Sequence, residues 1–496
     1  MLNWLKNIFS PPAAKEKEIP KPVVHTDPAP VAPTETAASF KSHGDTHLDQ
    51  GDWSRAAAQY KKALELNPDF AEVHNNLGLA LMRQGENDQA KHHLLQAVSI
   101  KPDMFNTYYV LGMLAQQLGQ FVEATDHFAK VIAIRPDFKE GYIAHAGALS
   151  DARLFDAALA SYETAIVLDP ADPSANWGKS LVQLAMGDYE HGWRQYEWRW
   201  KDFAKDVARH YPQPRWLGDL SIKDKTVLIY PEQGYGDVFQ FCRYIPMFDT
   251  LGARVLLETP KEIMDLLSTL KGNFTIVEMG KPLPPFDFHC PMMSLPLAFK
   301  TTLTSIPATI PYLHALPAKR QAWSQKLGQK NKLSVGLVWS GGFRADQPDT
   351  WGVNERRNMP LAKLAQLNIP GVDFYSLQKG SVAEMQLKAI QGTSWNGPAI
   401  IDYTSEIKDF ADTAALLDNL DIIVSVDTSM VHLAGAMGKT TWVLNRFDSC
   451  WRWLSNRTDS PWYPSLTLFT QTRPGDWDSV VSEVKNKLEA TVGAAS

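Results

Sequence analysis

Two short segments of the 496-residue chain place residues suited to anion and proton chemistry directly after apolar strands. In the first, Thr226-Val-Leu-Ile-Tyr230 leads into Gly234-Tyr-Gly-Asp237 and then into a helical stretch, Val238 to Asp249. Strand, glycine loop and helix are the start of a Rossmann-like unit. Asp237 is then either a reactive carboxylate at the mouth of a cleft or a cap for the helix that follows. In the second segment, Asp427-Thr428-Ser429 follows the apolar run Asp421-Ile-Ile-Val-Ser-Val426 and opens a helix. The first N–H groups of such a helix point at whatever lies above the sheet and favour an anion there. His432 falls in the first turn, as a ligand or as a buried structural residue.

Other chemistries fit less well. Gly234, Gly236 and Glu258 imitate a dinucleotide fingerprint with its acidic residue about 20 positions on, but Phe239 occupies the third glycine position, which a closely packed helix does not tolerate. Asp476-Trp-Asp478 is the one Asp-x-Asp; it precedes the terminal helix and reads as a cap, so no metal is expected. Cys242, Cys290 and Cys450 are far apart and lack zinc or disulfide spacing, which implies a reducing compartment, the cytoplasm. With Lys+Arg 49 against Asp+Glu 55, a net charge of -6 and a pI near 6.1, the chain lacks the basic excess that nucleic acid requires.

The elements that must position these residues fall into three folding regions. Pro68, Pro102, Pro136 and Pro170 recur every 34 residues, and Ala56, Ala90, Ala124 and Ala158 keep the same frame, as do Tyr60, Leu94, Phe128 and Tyr162. This matches the tetratricopeptide pattern and predicts an α solenoid over 37–206, its fifth unit degenerate from 173 onward. The concave face of such a solenoid is expected to take a protein or peptide, or else the repeats only stiffen or dimerise the molecule. After Trp216 the pattern changes to strands alternating with helices and predicts two Rossmann-like lobes, 216–315 and 330–496, with a ligand cleft at the carboxyl ends of their sheets. The tryptophan-rich segments Trp193–Trp200 and Trp451–Trp462 have the spacing of inter-domain packing. Residues 1–36 read as a short amphipathic start, Met1 to Phe9, followed by a Pro-rich spacer; the start is expected to touch a membrane weakly, or nothing.

Glu232-Gln-Gly-Tyr-Gly-Asp237, Leu337-Val-Trp-Ser-Gly-Gly342, Arg356-Arg-Asn-Met-Pro360, Ser376-Leu-Gln-Lys-Gly380 and Asp427-Thr-Ser-Met-Val-His-Leu-Ala-Gly-Ala-Met-Gly438 together resemble the heptosyltransferase-like glycosyltransferases of GT-B fold, here joined to tetratricopeptide repeats. The resemblance implies an inverting, metal-independent transfer from a nucleotide diphosphate sugar, without a cofactor. It makes Asp237 the base that takes the acceptor proton. It implies that Thr428, Ser429 and His432 contact the donor phosphates and that Asp427 holds the donor sugar. It makes Arg357, with Arg356 as its substitute, the basic phosphate contact, and it places Lys379 and Glu384 near the nucleotide. The family usually has glycine where Ser429 stands. The competing expectation is an interaction scaffold whose nucleotide-binding half has lost catalysis.

Overall fold

The structure is a computed structural model that describes residues 35–202, 208–342, 351–390 and 396–495. The amphipathic start and nearly all of the Pro-rich spacer lie outside the described residues. The chain divides into two compact units, Met1–Leu149 and Ser150–Ser496.

The first unit is built of paired helices: α1 (Ala37–Asp49) with α2 (Trp53–Leu66), α3 (Ala71–Gln84) with α4 (Asn87–Ile100), and α5 (Phe105–Gln117) with α6 (Phe121–Ile134). Helix α7 (Lys139–Asp151) carries the chain across the unit boundary. The repeat frame has a steric origin. Gly44, Gly78 and Gly112 sit where the first helix of each pair crosses the second, and a Cβ there would come within 2.5, 2.6 and 2.7 Å of Tyr60, Leu94 and Phe128. Those three large residues are fully buried, as are Ala56, Ala90 and Ala124 one turn away. The core of each pair is therefore a small residue against a large one, repeated.

The second unit begins with α8 (Phe155–Leu168), α9 (Pro173–Met186) and α10 (Tyr189–Tyr196). Two parallel sheets follow. The first has the order β3-β2-β1-β4, with β1 Thr226–Tyr230, β2 Arg254–Thr259, β3 Phe274–Glu278 and β4 Phe288–Pro291. The second has the order β10-β9-β8-β5-β6-β7, with β5 Leu333–Val338, β6 Val372–Ser376, β7 Ile400–Asp402, β8 Ile422–Val426, β9 Thr441–Asn445 and β10 Leu466–Thr470. Strands β4 and β10 are additions to the sequence expectation. The helix expected from Val238 to Asp249 is shorter: α11 spans Tyr235–Phe241, a tight turn occupies Cys242–Tyr244, and a second short helix, Met247–Thr250, begins after Pro246. Proline lacks the N–H that a continuous helix would need there.

The boundary between compact units lies inside the repeats and not near residue 206, where the periodicity changes. Its physical reason is the core of the second unit, in which Leu184, Tyr189, Trp193 and Tyr196 are continuous with Phe241, Trp451 and Trp462. The same core runs through α11, α12 (Phe410–Asp418) and α13 (Ser429–Ala436), with Phe410 4.9 Å from Tyr235 and 5.1 Å from Phe239 between ring centres. The other face of the second sheet has its own core, including Leu337, Phe374, Val424, Trp442 and Val484.

Candidate functional site

Each sheet has one place where its strand order reverses, and ligands of open parallel sheets collect at the carboxyl ends of the strands there. In the first sheet the reversal lies between β1 and β4; the β1 strand is followed by the Glu232–Asp237 segment. In the second it lies between β5 and β8, which are followed by Trp339–Gly342 and Asp427–Ser429. The residues singled out by type and spacing therefore sit at both switch points.

Asp237 is the third residue of α11. Its Oδ2 accepts from the Gly234 N–H at 3.0 Å, so it does cap its own helix, and its Oδ1 accepts from Arg452 Nη2 at 2.5 Å. The side chain remains 17% exposed. Each carboxylate oxygen has a second lone pair, which leaves acceptor capacity for an incoming hydroxyl. Arg452 also donates to Gln240 at 2.8 Å and stacks 4.3 Å from the Trp451 ring centre. Burial pulls the Arg452 pKa down, but the Cys450 thiol and the Asp237 carboxylate more than offset it, and the guanidinium is held charged.

Helix α13 is capped by Thr428, whose hydroxyl accepts from the Met430 N–H at 3.3 Å. Asp427, Thr428 and Ser429 are half-buried at this helix N-terminus. His432 is placed differently from the other three. It is 5% exposed, lies 3.0 Å from the Tyr463 hydroxyl through Nδ1, and stacks on Trp453 at 5.3 Å. Burial, with Arg452 and Arg243 nearby, holds its pKa well below the usual imidazole value, so the ring is neutral and offers a phosphate no charge. What it does offer is a surface. A Cβ on Gly236 would come within 2.8 Å of His432 Cδ2 and 3.4 Å of Ser429 Cα, so the glycine loop lets α11 lie directly on α13. Gly236, next to Asp237 in the chain, thus packs against Ser429.

The remaining predicted residues line the carboxyl edge of the second sheet. Arg357 reaches Asn354 Oδ1 at 2.7 Å and lies against Gly341, where a Cβ would come within 2.4 Å of its Nη2. Gly341 thus leaves room for the guanidinium beside the β5 loop. Arg356 is engaged elsewhere, in an ion pair with the buried Asp448 at 3.0 Å. Lys379 donates to the Ile407 carbonyl at 2.7 Å, tying the β6 loop to the segment after β7, and Glu384 accepts from the Gly380 N–H at 3.1 Å within its own loop.

Three residues that the sequence reading passed over organise the loops at the carboxyl ends of the two sheets. Buried Gln378 accepts from the Trp339 and Ser340 N–H groups at 3.0 and 2.9 Å and donates to the Ser340 carbonyl at 2.8 Å, clamping the β5 loop to the β6 loop. Arg199 is fully buried and grips the equally buried Glu232 through Nε at 2.8 Å and Nη2 at 3.0 Å, while Glu232 also accepts from the Met293 N–H at 3.1 Å. Arg452 is the third. Their signal was weak because each partner lies far along the chain.

No group of three or more His, Cys, Asp or Glu able to hold a metal occurs among the described residues, and none of their helices is long and apolar enough to cross a membrane.

With the repeat geometry established, comparison defines the class: the chain carries tetratricopeptide repeats. Models described as TPR repeat and tetratricopeptide repeat match residues 44–85, 69–137 and 143–191. Among curated proteins, Protein FlbA of Caulobacter vibrioides is 27% identical over 385 residues, 71% of this chain and 61% of FlbA. The chain thus spans about three fifths of that relative's length. Among solved structures, MamA MSR-1 C2 is 21% identical, covering 35% of this chain and 98% of its own, with a TM-score of 0.31. YrrB, described as a TPR protein with an unusual peptide-binding site, is 18% identical, covering 33% of this chain and 85% of its own, with a TM-score of 0.30.

Proposed function

We propose that the α/β region is a GT-B glycosyltransferase of heptosyltransferase-like type, which moves a sugar from a nucleotide diphosphate donor to an acceptor, and that the repeats recruit a protein or peptide to it. The observation that carries this reading is the packing of Gly236, the residue before Asp237 in the loop at the switch point of the first sheet, against Ser429 at the N-terminus of α13, at the switch point of the second. One end supplies a base; the other supplies N–H donors for a leaving diphosphate.

In this mechanism the acceptor hydroxyl hydrogen-bonds to the free lone pair of an Asp237 oxygen and passes it a proton as the acceptor oxygen attacks the anomeric carbon from the face opposite the diphosphate. The bond to the diphosphate breaks, and its charge is met by the amides of α13, the Thr428 and Ser429 side chains, and Arg357 beside Gly341. Asp427 faces the donor sugar. His432 keeps α11 and α13 in register and does not touch phosphate. Lys379 and Glu384 shape the nucleotide side by holding the β6 loop.

A second reading has one observation in its favour: Arg452 holds Asp237 Oδ1 in an ion pair, so one of its two oxygens is already engaged by the fold. Under it the α/β region binds a nucleotide without turnover and the molecule is an interaction scaffold. Thermal unfolding of the full chain with ADP, UDP, GDP and CMP and their sugars separates the two. A ligand at 100 times its Kd stabilises by about 2.7 kcal/mol, a shift of several degrees. The transferase reading expects a shift with one nucleotide family that Arg357→Ala abolishes, and donor-sugar consumption that Asp237→Asn abolishes while the shift persists. A shift without turnover in the wild type supports the scaffold; no shift with any nucleotide removes both.

A further inference from the structure

A pocket of about 230 Å³ lies within the second unit, between the end of α7, helices α8 and α9, and the Arg446–Ser455 segment after β9. Its apolar wall is Phe155, Leu181, Trp451 and Leu454, and two arginines, Arg153 and Arg446, complete it. Among the described residues the Arg153 guanidinium has no hydrogen bond or ion pair; it rests 5.4 Å from the Phe447 ring centre. It is half-buried, and burial lowers its pKa. It is also carried on a left-handed backbone, φ 64°, which costs a non-glycine residue free energy. Arg446 is 12% exposed and shares Asp448 with Arg356, but its Nε is buried without a partner. Desolvation and backbone strain thus hold the Arg153 guanidinium without a hydrogen-bond or ion-pair partner among the described residues.

We propose that this pocket is a binding site for a carboxylate, held between Arg153 and Arg446 with its apolar stem against Leu181 and Trp451. Planar guanidinium forks match a carboxylate in shape and charge. A monoanion is favoured over a phosphate dianion because Asp151 and Asp448 also line the pocket and repel extra negative charge. The volume is below the roughly 300 Å³ at which drug-sized ligand sites begin, so a nucleotide sugar does not fit. The site therefore stands apart from the transferase reading, and either can fail alone. A free small organic acid and a peptide C-terminus share this chemistry.

The test uses the full chain at fixed ionic strength, titrated calorimetrically with sodium valerate, with a pentapeptide ending in a free leucine carboxylate, with the amide of that peptide, and with inorganic phosphate. Arg153→Gly and Arg153→Asn remove the guanidinium with residue types that accept a left-handed backbone, so the fold is kept. Saturable binding of valerate or of the free-acid peptide, weakened at least tenfold in both variants and absent for the amide, supports the proposal; the tighter of the two names the source. Absence of saturable binding to either probe, equal binding by both variants, or tighter binding of inorganic phosphate overturns it.

Discussion

Gly236 shows how much one missing Cβ decides. The loop Gly234-Tyr-Gly-Asp237 was legible as a strand-to-helix turn, and its second glycine could be taken for close approach to a phosphate. In the structure the close approach is to a side chain and a backbone, His432 and Ser429. His432 cannot retreat, because Trp453 stacks on it and Tyr463 contacts its Nδ1. Gly236→Ala should therefore destabilise by about 1–3 kcal/mol through overpacking. His432→Ala in the same chain should recover part of that loss, so a double-mutant cycle in urea should give a favourable coupling between the two substitutions. Additive effects would mean that α11 and α13 do not press on each other here. The Asp237 partner was not legible in the same way. Arg452 is 215 positions away, in a segment whose tryptophans drew attention to packing, and only the fold joins them.

At the scale of elements, legibility followed the strength of the local pattern. The repeat helices were readable because one steric rule recurs, and strands such as Thr226–Tyr230 and Ile422–Val426 because β-branched apolar runs have few other fates. Strand β4, Phe288-His-Cys-Pro291, was missed because it is four residues long, with one strong strand former, Phe288, and a terminal proline; pairing with β1 makes it a strand. The pairing of α3 with α4 adds a dependence that the periodicity does not announce. His74 lies 2.8 Å from the Pro68 carbonyl through Nε2, and 3.0 Å from His93 through the two Nδ1 atoms. A carbonyl can only accept, so His74 donates from Nε2. Burial, then the neighbouring His74, His92 and Lys61, lower the His93 pKa to about 4 from 6.5. Burial and Arg215 do the same to His289 in the second unit. Between those values the unfolded chain binds protons that the folded chain does not, so stability should fall as pH drops from about 6.5 to about 4 and level off below. Melting temperatures between pH 6.5 and 5, above most carboxylate titration, should decline for the wild type and decline less for His93→Gln. An equal slope in both would remove His93 as a source.

For the molecule as a whole, periodicity marked where one kind of repeat stops, but compactness follows the core. The last helices of the repeat series bury Tyr189, Trp193 and Tyr196 against Phe241, Trp451 and Trp462, and Trp462 Nε1 donates to the Tyr189 hydroxyl at 2.9 Å. Arg199 is the only cation bonded to the Glu232 carboxylate among the described residues, and burial raises the Glu232 pKa against the opposing pull of that arginine. A fragment starting at residue 210 would remove Arg199 and the aromatic helix together. Losing one partner of a buried pair costs about 3–5 kcal/mol, a large part of the roughly 5–15 kcal/mol that holds a typical domain folded. Exposing the facing tryptophans adds to it. Residues 210–496 should therefore be produced aggregated or with a sharply lowered urea midpoint, whereas 150–496, which keeps the compact unit, should unfold cooperatively. Glu232→Gln in the shorter fragment should raise its midpoint by removing the stranded charge. Equal midpoints for the two fragments would mean that the sheets are stable by themselves and that the terminal repeat helices contribute little to the fold they cover.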